Sequence, residues 1–198
     1  MKPAKFDPKN LDKLNQPERY KAIPPDLLRD TLGITESGTI VDIGAGTGYF
    51  AIPLARYLKN GRVFACDISE DMVSWMENNV RPLYVNIIPL MMKENNVPME
   101  AETADGVQMI NLYHELDHPD SMLLEVLRLL KAQGKVVIVD WKKQKTPHGP
   151  PIATRKTTQE VQEQLIRAGF VDVTVDDSLT QHFILSGRKG RKSCRKGE

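Results

Sequence analysis

Apolar residues recur along the chain in two alternating rhythms, short runs and stretches spaced by three or four residues, which predicts strands interleaved with helices. Thr39–Ile43 reads as a first strand running into Gly44. Tyr49–Lys59 reads as a helix stopping before Asn60-Gly61, and Pro53 fits only if that helix begins late. Arg62–Cys66 predicts a second strand ending at Asp67, with Ser69 capping a helix through Met72, Val73 and Met76. Asn86–Leu90 and Gly106–Asn111 predict a third and a fourth strand. Leu123, Leu124, Leu127 and Leu130 fall at helical spacing over Pro119–Leu130, with Gly134 beyond. Lys135–Val139 is the nearly continuous apolar run of a parallel strand covered on both faces, so it belongs near the sheet's centre. Pro25 with Asp26-Leu27-Leu28 starts a short helix that Gly33 closes. Thr157 and Glu160 stand at capping-box spacing for a helix to Ala168, closed by Gly169. Val171, Val173 and Val175, then Phe183 and Leu185, alternate on either side of Asp176-Asp177-Ser178 and predict a terminal hairpin.

Together these elements describe an α/β fold, a doubly wound seven-stranded, mostly parallel sheet with a C-terminal antiparallel hairpin. Ligands of such sheets bind outside the carboxyl ends of the strands. The expected organisation is a single domain over residues 1–187, opening with a helical segment over 1–33, and a basic, unstructured tail over 188–198.

Composition adds limits. The chain is 40% hydrophobic and 27% charged, and no apolar run approaches the ~18 residues of a membrane span. Met1–Asn10 lacks the apolar stretch of a secretion signal, so a cytoplasmic location is expected. Cys66 and Cys194 cannot make a disulfide framework. The net charge of +1 hides an asymmetry, because Arg188, Lys189, Arg191, Lys192, Arg195 and Lys196 all follow the last apolar run. That cluster reads as a solvated tail before it reads as a nucleic-acid contact.

The sharpest chemical signal is Asp42-Ile43-Gly44-Ala45-Gly46-Thr47-Gly48, at the turn from the first strand into the first helix of the alternation. Glycines there let the backbone approach a ligand closely. A dinucleotide fingerprint would place glycine where Tyr49 stands, and a phosphate loop needs Gly-Lys-Ser/Thr, which is absent. Asp42 would repel a pyrophosphate but suits a cation bearing an ammonium and a sulfonium, as S-adenosylmethionine does. Asp67 ends the second strand 19 positions beyond Gly48 (67 − 48), where it can accept hydrogen bonds from a ribose diol.

Val41–Phe50, followed by Ala65–Met72, resembles the class I S-adenosylmethionine-dependent methyltransferases, especially the small-molecule branch that includes the quinone C-methyltransferases. Asn111-Leu112-Tyr113-His114, Glu125–Leu130 and Asp140-Trp141 extend the likeness over roughly residues 32–187. The resemblance implies that Gly44, Ala45 and Gly46, with Ile43 beside them, wrap the methionine part, while Asp42 meets its ammonium through water. It further implies that Asp67 takes the ribose, that Ile68 and Met72 line the adenine, and that the backbone around Asn111 lies under the donor. One departure stands out: Lys93 occupies the position of an acidic residue that meets the adenine amine. Glu94 is its possible substitute, and Lys93, Glu94 and Asn95 are carried as the adenine-side positions.

His114-Glu115-Leu116-Asp117-His118 also matches the zinc-protease pattern, which needs both imidazoles on one helical face. Pro119 disfavours helix at His118 and no third ligand is evident, so the segment reads as a strand-to-helix loop and zinc hydrolysis as a distant alternative. His114, just beyond the fourth strand, is the candidate general base, with Glu115 next. The expected reaction is methyl transfer to a small-molecule acceptor. A cofactor-binding protein without catalysis is the runner-up. The segment through Glu18, Arg19 and Tyr20 and the loop Trp141–Ile152 flank the mouth as candidate lids, and Lys142, Lys143 and Lys145 are candidate attractors of an anionic acceptor. No Asn-Pro-Pro-Tyr signature is present, which disfavours nucleic-acid or protein N-methylation; oligomeric state stays open.

Overall fold

The structure, a computed structural model, describes residues 11–191. Three short helices lead in, α1 (Leu11–Leu14), α2 (Glu18–Ala22) and α3 (Pro25–Leu32). The alternation follows as β1 (Thr39–Ile43), α4 (Ala51–Tyr57), β2 (Arg62–Asp67), α5 (Glu70–Asn79), β3 (Ile87–Met91), β4 (Ala104–Ile110), α6 (Pro119–Leu129), β5 (Leu130–Trp141), α7 (Thr158–Ala168), β6 (Phe170–Asp176) and β7 (His182–Lys189). One seven-stranded sheet runs in the order β3-β2-β1-β4-β5-β7-β6. β1 to β5 are parallel, and β7 is antiparallel to both β5 and β6. The expected doubly wound sheet with its terminal hairpin is therefore the observed one. Strand order reverses between the adjacent β1 and β4, which leaves a crevice at their carboxyl ends.

Local chemistry explains the elements. Pro53 is the third residue of α4, within the first turn where its missing N–H costs nothing, so the helix is shorter than the expected 49–59. Ser69 accepts the Met72 N–H as N-cap of α5, and Thr157 and Glu160 form the complete capping box of α7. Gly33 and Gly169 close α3 and α7 in the left-handed conformation. Val136 to Val139 are all fully buried, alternating between two cores. Met122, Leu123, Val126, Val161 and Leu165 of α6 and α7 build one of these; Leu28, Leu32, Leu54 and Met76 of α3, α4 and α5 build the other.

Two further expected boundaries shift. β5 begins at Leu130, which pairs with Ala104 ahead of an irregularity, and it lies inside the sheet beside the central β4. β7 carries the sheet on through Arg188 and Lys189, and Lys189 donates to the Leu130 carbonyl, so these two cations are strand residues rather than tail. Most of the expected tail, from residue 192, and Met1–Asn10 lie outside the described residues. None of the described helices is long and apolar enough to cross a membrane.

Candidate active site

The glycine turn sits over the β1–β4 crevice. Gly44 and Gly46 have φ of 71° and 57°, a region L residues rarely adopt. The Gly44 and Ala45 N–H groups donate to the Cys66 carbonyl, and the Gly46 N–H donates to Asp67 Oδ2 at 2.8 Å. Asp67 Oδ1 accepts the Ser69 N–H at 2.9 Å. The expected ribose acceptor is thus also the brace of the turn. Burial raises its pKa against the opposing backbone donors of Ser69, Gly46 and Ile68. With about four lone-pair sites and three backbone donors, the carboxylate still has room for a hydrogen bond from a ligand.

Asp42 lies one residue before the carboxyl end of β1, is 2% exposed, and has an Oδ2 without a partner. Burial pushes its carboxyl up to about 7; the nearby Gln108 amide and Arg19 oppose this and the Asp67 charge adds to it. Gln108 is the register partner of Asp42 on β4 and lies near it without hydrogen-bond geometry, since both of its amide atoms are unpartnered. Sequence reasoning passed over Gln108 because one amide inside an apolar strand carries no motif.

A pattern links these atoms. Among the described residues, the buried side-chain N and O atoms without a partner belong to Asp42, Asn95, Gln108, Asn111, Gln181 and His182. Asp42 and Gln108 lie within two residues of the carboxyl ends of β1 and β4, Asn111 directly follows β4, and Asn95 follows β3. His182 begins the antiparallel β7 and Gln181 directly precedes it, which returns both to that same edge. Buried polar groups are normally paired in folded proteins, so orphans gathered at one edge mark a place where a ligand supplies the partners.

The remaining expected positions divide. Ile68 is partly exposed at the rim and Met72 is buried behind it, on the adenine side of the resemblance. Lys93 and Glu94 are exposed on a tight turn closed by the Lys93–Asn96 bridge, and Asn95 alone of the three carries a buried orphan atom. Asn111 takes a φ of 55°, tolerated by asparagine, and donates its N–H to the Val139 carbonyl.

His114 lies in a short 3-10 turn, Tyr113–Glu115, and its Nδ1 is 2.8 Å from Asp140 Oδ1. Asp140 Oδ2 also accepts the His114 N–H, and Oδ1 accepts the Trp141 N–H, which locks the carboxylate at the end of β5. His114 Nε2 faces Glu115 Oε1 at 3.6 Å. Burial works to lower the His114 pKa, but the Asp140 hydrogen bond and the charges of Asp140 and Glu115 carry it above the ordinary imidazole value. The chain is extended again at Leu116, and His118 is exposed at the N-cap of α6. His114 and His118 therefore do not share a helical face, as the zinc-protease pattern requires. No group of three or more His, Cys, Asp or Glu is placed to hold a metal among the described residues.

Over the turn lies the amino-terminal segment. Thr47 donates to Asn15 Oδ1 at 2.8 Å, and the Tyr20 ring stacks on Tyr49 at 4.0 Å. The half-buried Arg19 places its guanidinium 4.9 Å from the Phe50 ring centroid. The loop after β5 is pinned instead of free: Arg155 donates to the carbonyls of Lys142, Gln144 and Pro150 and to Thr146 Oγ1. Lys142 itself reaches the Asp177 carbonyl.

Residues 40–134 match the methyltransferase domain family. A solved structure of an S-adenosylmethionine-dependent methyltransferase from Aquifex aeolicus superposes with a TM-score of 0.88 at 31% identity, over 93% of this chain and 99% of that one. This chain belongs to the S-adenosylmethionine-dependent methyltransferases. An uncharacterized methyltransferase of Bacillus subtilis, YdaC, is 25% identical over 144 residues, covering 73% of this chain and 77% of that protein. A ubiquinone/menaquinone biosynthesis C-methyltransferase, UbiE, of Blochmanniella pennsylvanica is 27% identical over 105 residues, but the methyltransferase described here spans only 41% of its length.

The donor's site passes a test of fit. The unpartnered oxygen of Asp42 suits an ammonium, and the positive-φ glycines keep the turn bare of side chains beside it; a Cβ added at Gly44 would clash with Leu112 at 2.8 Å. Gly44→Ala of the methyltransferase is expected to add ~1–2 kcal/mol of left-handed strain, lowering Tm by roughly 2–8 °C. Its dissociation constant for S-adenosylhomocysteine should rise about tenfold or more, as read by calorimetry. Unchanged affinity would place the ligand away from this backbone.

Proposed function

We propose that this methyltransferase acts on a small-molecule acceptor whose reacting atom carries a proton, and that His114, held by Asp140, removes that proton. Bound S-adenosylmethionine supplies a methyl already activated by its sulfonium. Asp42 would hold the donor's ammonium, the Gly44–Gly46 backbone its methionine part, Asp67 its ribose, and Ile68, Met72 and Asn95 the adenine side.

The observation that supports the reading is the His114–Asp140 pair. Nδ1 is committed to a fixed carboxylate, which leaves Nε2 as the nitrogen that addresses the acceptor. Asp140 positions the ring without touching the substrate. With the methyl already activated, the rest of the chain's work is to orient the acceptor and exclude water. The segment carrying Arg19 and Tyr20 covers the turn and would act as the lid, while the pinned loop after β5 forms a fixed wall.

Labelled methyl transfer from S-adenosylmethionine, screened across small hydroxyl, thiol, amine and activated-carbon acceptors, tests this. Turnover of at least one such acceptor, with S-adenosylhomocysteine released in equal amount, is expected. Methylation confined to protein or nucleic acid would overturn the small-molecule reading.

A further inference from the structure

We infer that His182 determines acceptor specificity, hydrogen-bonding an uncharged hydroxyl or amide of the acceptor at a point away from its reacting atom. The inference rests on the small-molecule reading above and deepens it.

β7 runs against its neighbours, so its first residue lies beside the last residues of β5, and the register pairs His182 with Trp141, next to Asp140. That puts it two strand spacings, about 10 Å, from the Asn111 end of β4, a separation within the span of a small acceptor. Phe183 and Leu185 enter one core and Ile184 the other. By alternation His182 shares the face of Ile184, which is also the face of Asp42 and Gln108.

The residue is 2% exposed, and neither ring nitrogen has a partner among the described residues. The described residues offer it none. Asp140 Oδ1 is taken by His114 Nδ1 and the Trp141 N–H, and Oδ2 accepts the His114 N–H and not the His182 ring. The Arg155 guanidinium is spent on carbonyls and Thr146. Trp141 lies against it ring to ring, tilted at 45° with its centroid 4.2 Å away, and makes no hydrogen bond to it. The neighbouring Gln181 Oε1 is orphaned as well. A histidine kept for packing alone would normally be hydrogen-bonded, because leaving a buried polar group unpaired is costly.

Its surroundings also indicate the ligand's charge. Burial lowers the His182 pKa to about 4, with Arg19, Arg155 and His148 adding to this against the Asp140 charge. The ring is therefore neutral at pH 7, offering one donor and one acceptor nitrogen. Cations on several sides would repel an ammonium, while a carboxylate would find a neutral ring and, in Arg155, a guanidinium whose N–H groups are already spent on carbonyls and Thr146. An uncharged hydroxyl or amide satisfies the ring without either difficulty.

The test uses pairs of small acceptors that differ by one hydroxyl, assayed by labelled methyl transfer with wild-type protein, His182→Phe and His182→Asn. His182→Phe should lower kcat/KM for the hydroxylated member about 10–100-fold through KM and leave its partner little changed. His182→Asn should restore part of the preference, and S-adenosylhomocysteine affinity should be unaltered in both. Thermal melting of the ligand-free protein gives a second readout: removing an unsatisfied buried ring should raise the Tm of His182→Phe by roughly 2–4 °C. An unchanged kcat/KM ratio, an equal loss of S-adenosylhomocysteine affinity, or a fall in Tm would each overturn the proposal. If the wild type methylates neither member of any pair yet binds S-adenosylhomocysteine, the small-molecule reading fails, and the sign of the Tm change alone decides whether His182 is a ligand-directed residue.

Discussion

His114→Ala should lower kcat by roughly 10²–10⁴-fold while leaving S-adenosylhomocysteine affinity intact. The loss follows from the proposed division of labour, in which donor binding resides on β1 and β2 and proton removal on the segment after β4. The folded-state pKa of His114 is raised, so the pair with Asp140 contributes stability fully below about pH 6.5, and that contribution is lost as pH rises through the folded value. The base form is populated only above the same value. Consequently kcat/KM should climb with pH through a midpoint above ~6.5 and then level off. Asp140→Asn removes the charge and the charge-assisted hydrogen bond that raise the pKa, leaving burial opposed by Glu115 alone, so the midpoint should move down from the wild-type value. Maximal kcat should fall as well, by up to about 10²-fold from loss of ring orientation. Stopped-flow or steady-state pH profiles with an acceptor found in the screen would read this. Full turnover in His114→Ala, or an identical midpoint in Asp140→Asn, would remove the pair from the mechanism.

Asp42→Asn carries the second large effect, and its two parts have opposite signs. The Asp42 carboxyl is raised to about 7 in the fold, chiefly by burial. Below its unfolded value near 4 the group is protonated in both states and costs nothing. As pH rises from there toward 7 the unfolded chain ionises first, so the fold loses stability, and above 7 the cost is constant. Asp42→Asn removes the ionisation and should raise the Tm of the ligand-free protein at pH 8 by roughly 2–6 °C, and by less at pH 5. The same change should weaken S-adenosylhomocysteine binding about 10–100-fold at pH 8, the worth of a charge-assisted contact. In the wild type, affinity should increase from pH 5 to 7 and flatten above, because binding an ammonium draws the proton off Asp42. Calorimetry in two buffers of different ionisation enthalpy would detect that proton. Equal affinity of Asp42→Asn and wild type at pH 8 would show that Asp42 does not face the donor's ammonium.

Much of this molecule is legible in its residues, for reasons that are local. A strand buried on both faces reads as an unbroken apolar run, as at Val136–Val139. A helix start needs a side-chain acceptor for its free N–H groups, as Ser69 and Thr157 provide. Turns with positive φ call for glycine, which is why Gly44 and Gly46 could be singled out, and Asp42 and Asp67 stand at short, fixed separations from them. The order of elements then restricts the sheet to few topologies. What the residues could not disclose involves partners far apart in the chain. Asp140 lies 26 positions from His114, Gln108 faces Asp42 only through the pairing of β4 with β1, and His182 reaches the edge of the site only because β7 returns antiparallel to β5. The unpaired state of its ring is a property of everything packed around it, and no window of sequence contains that information.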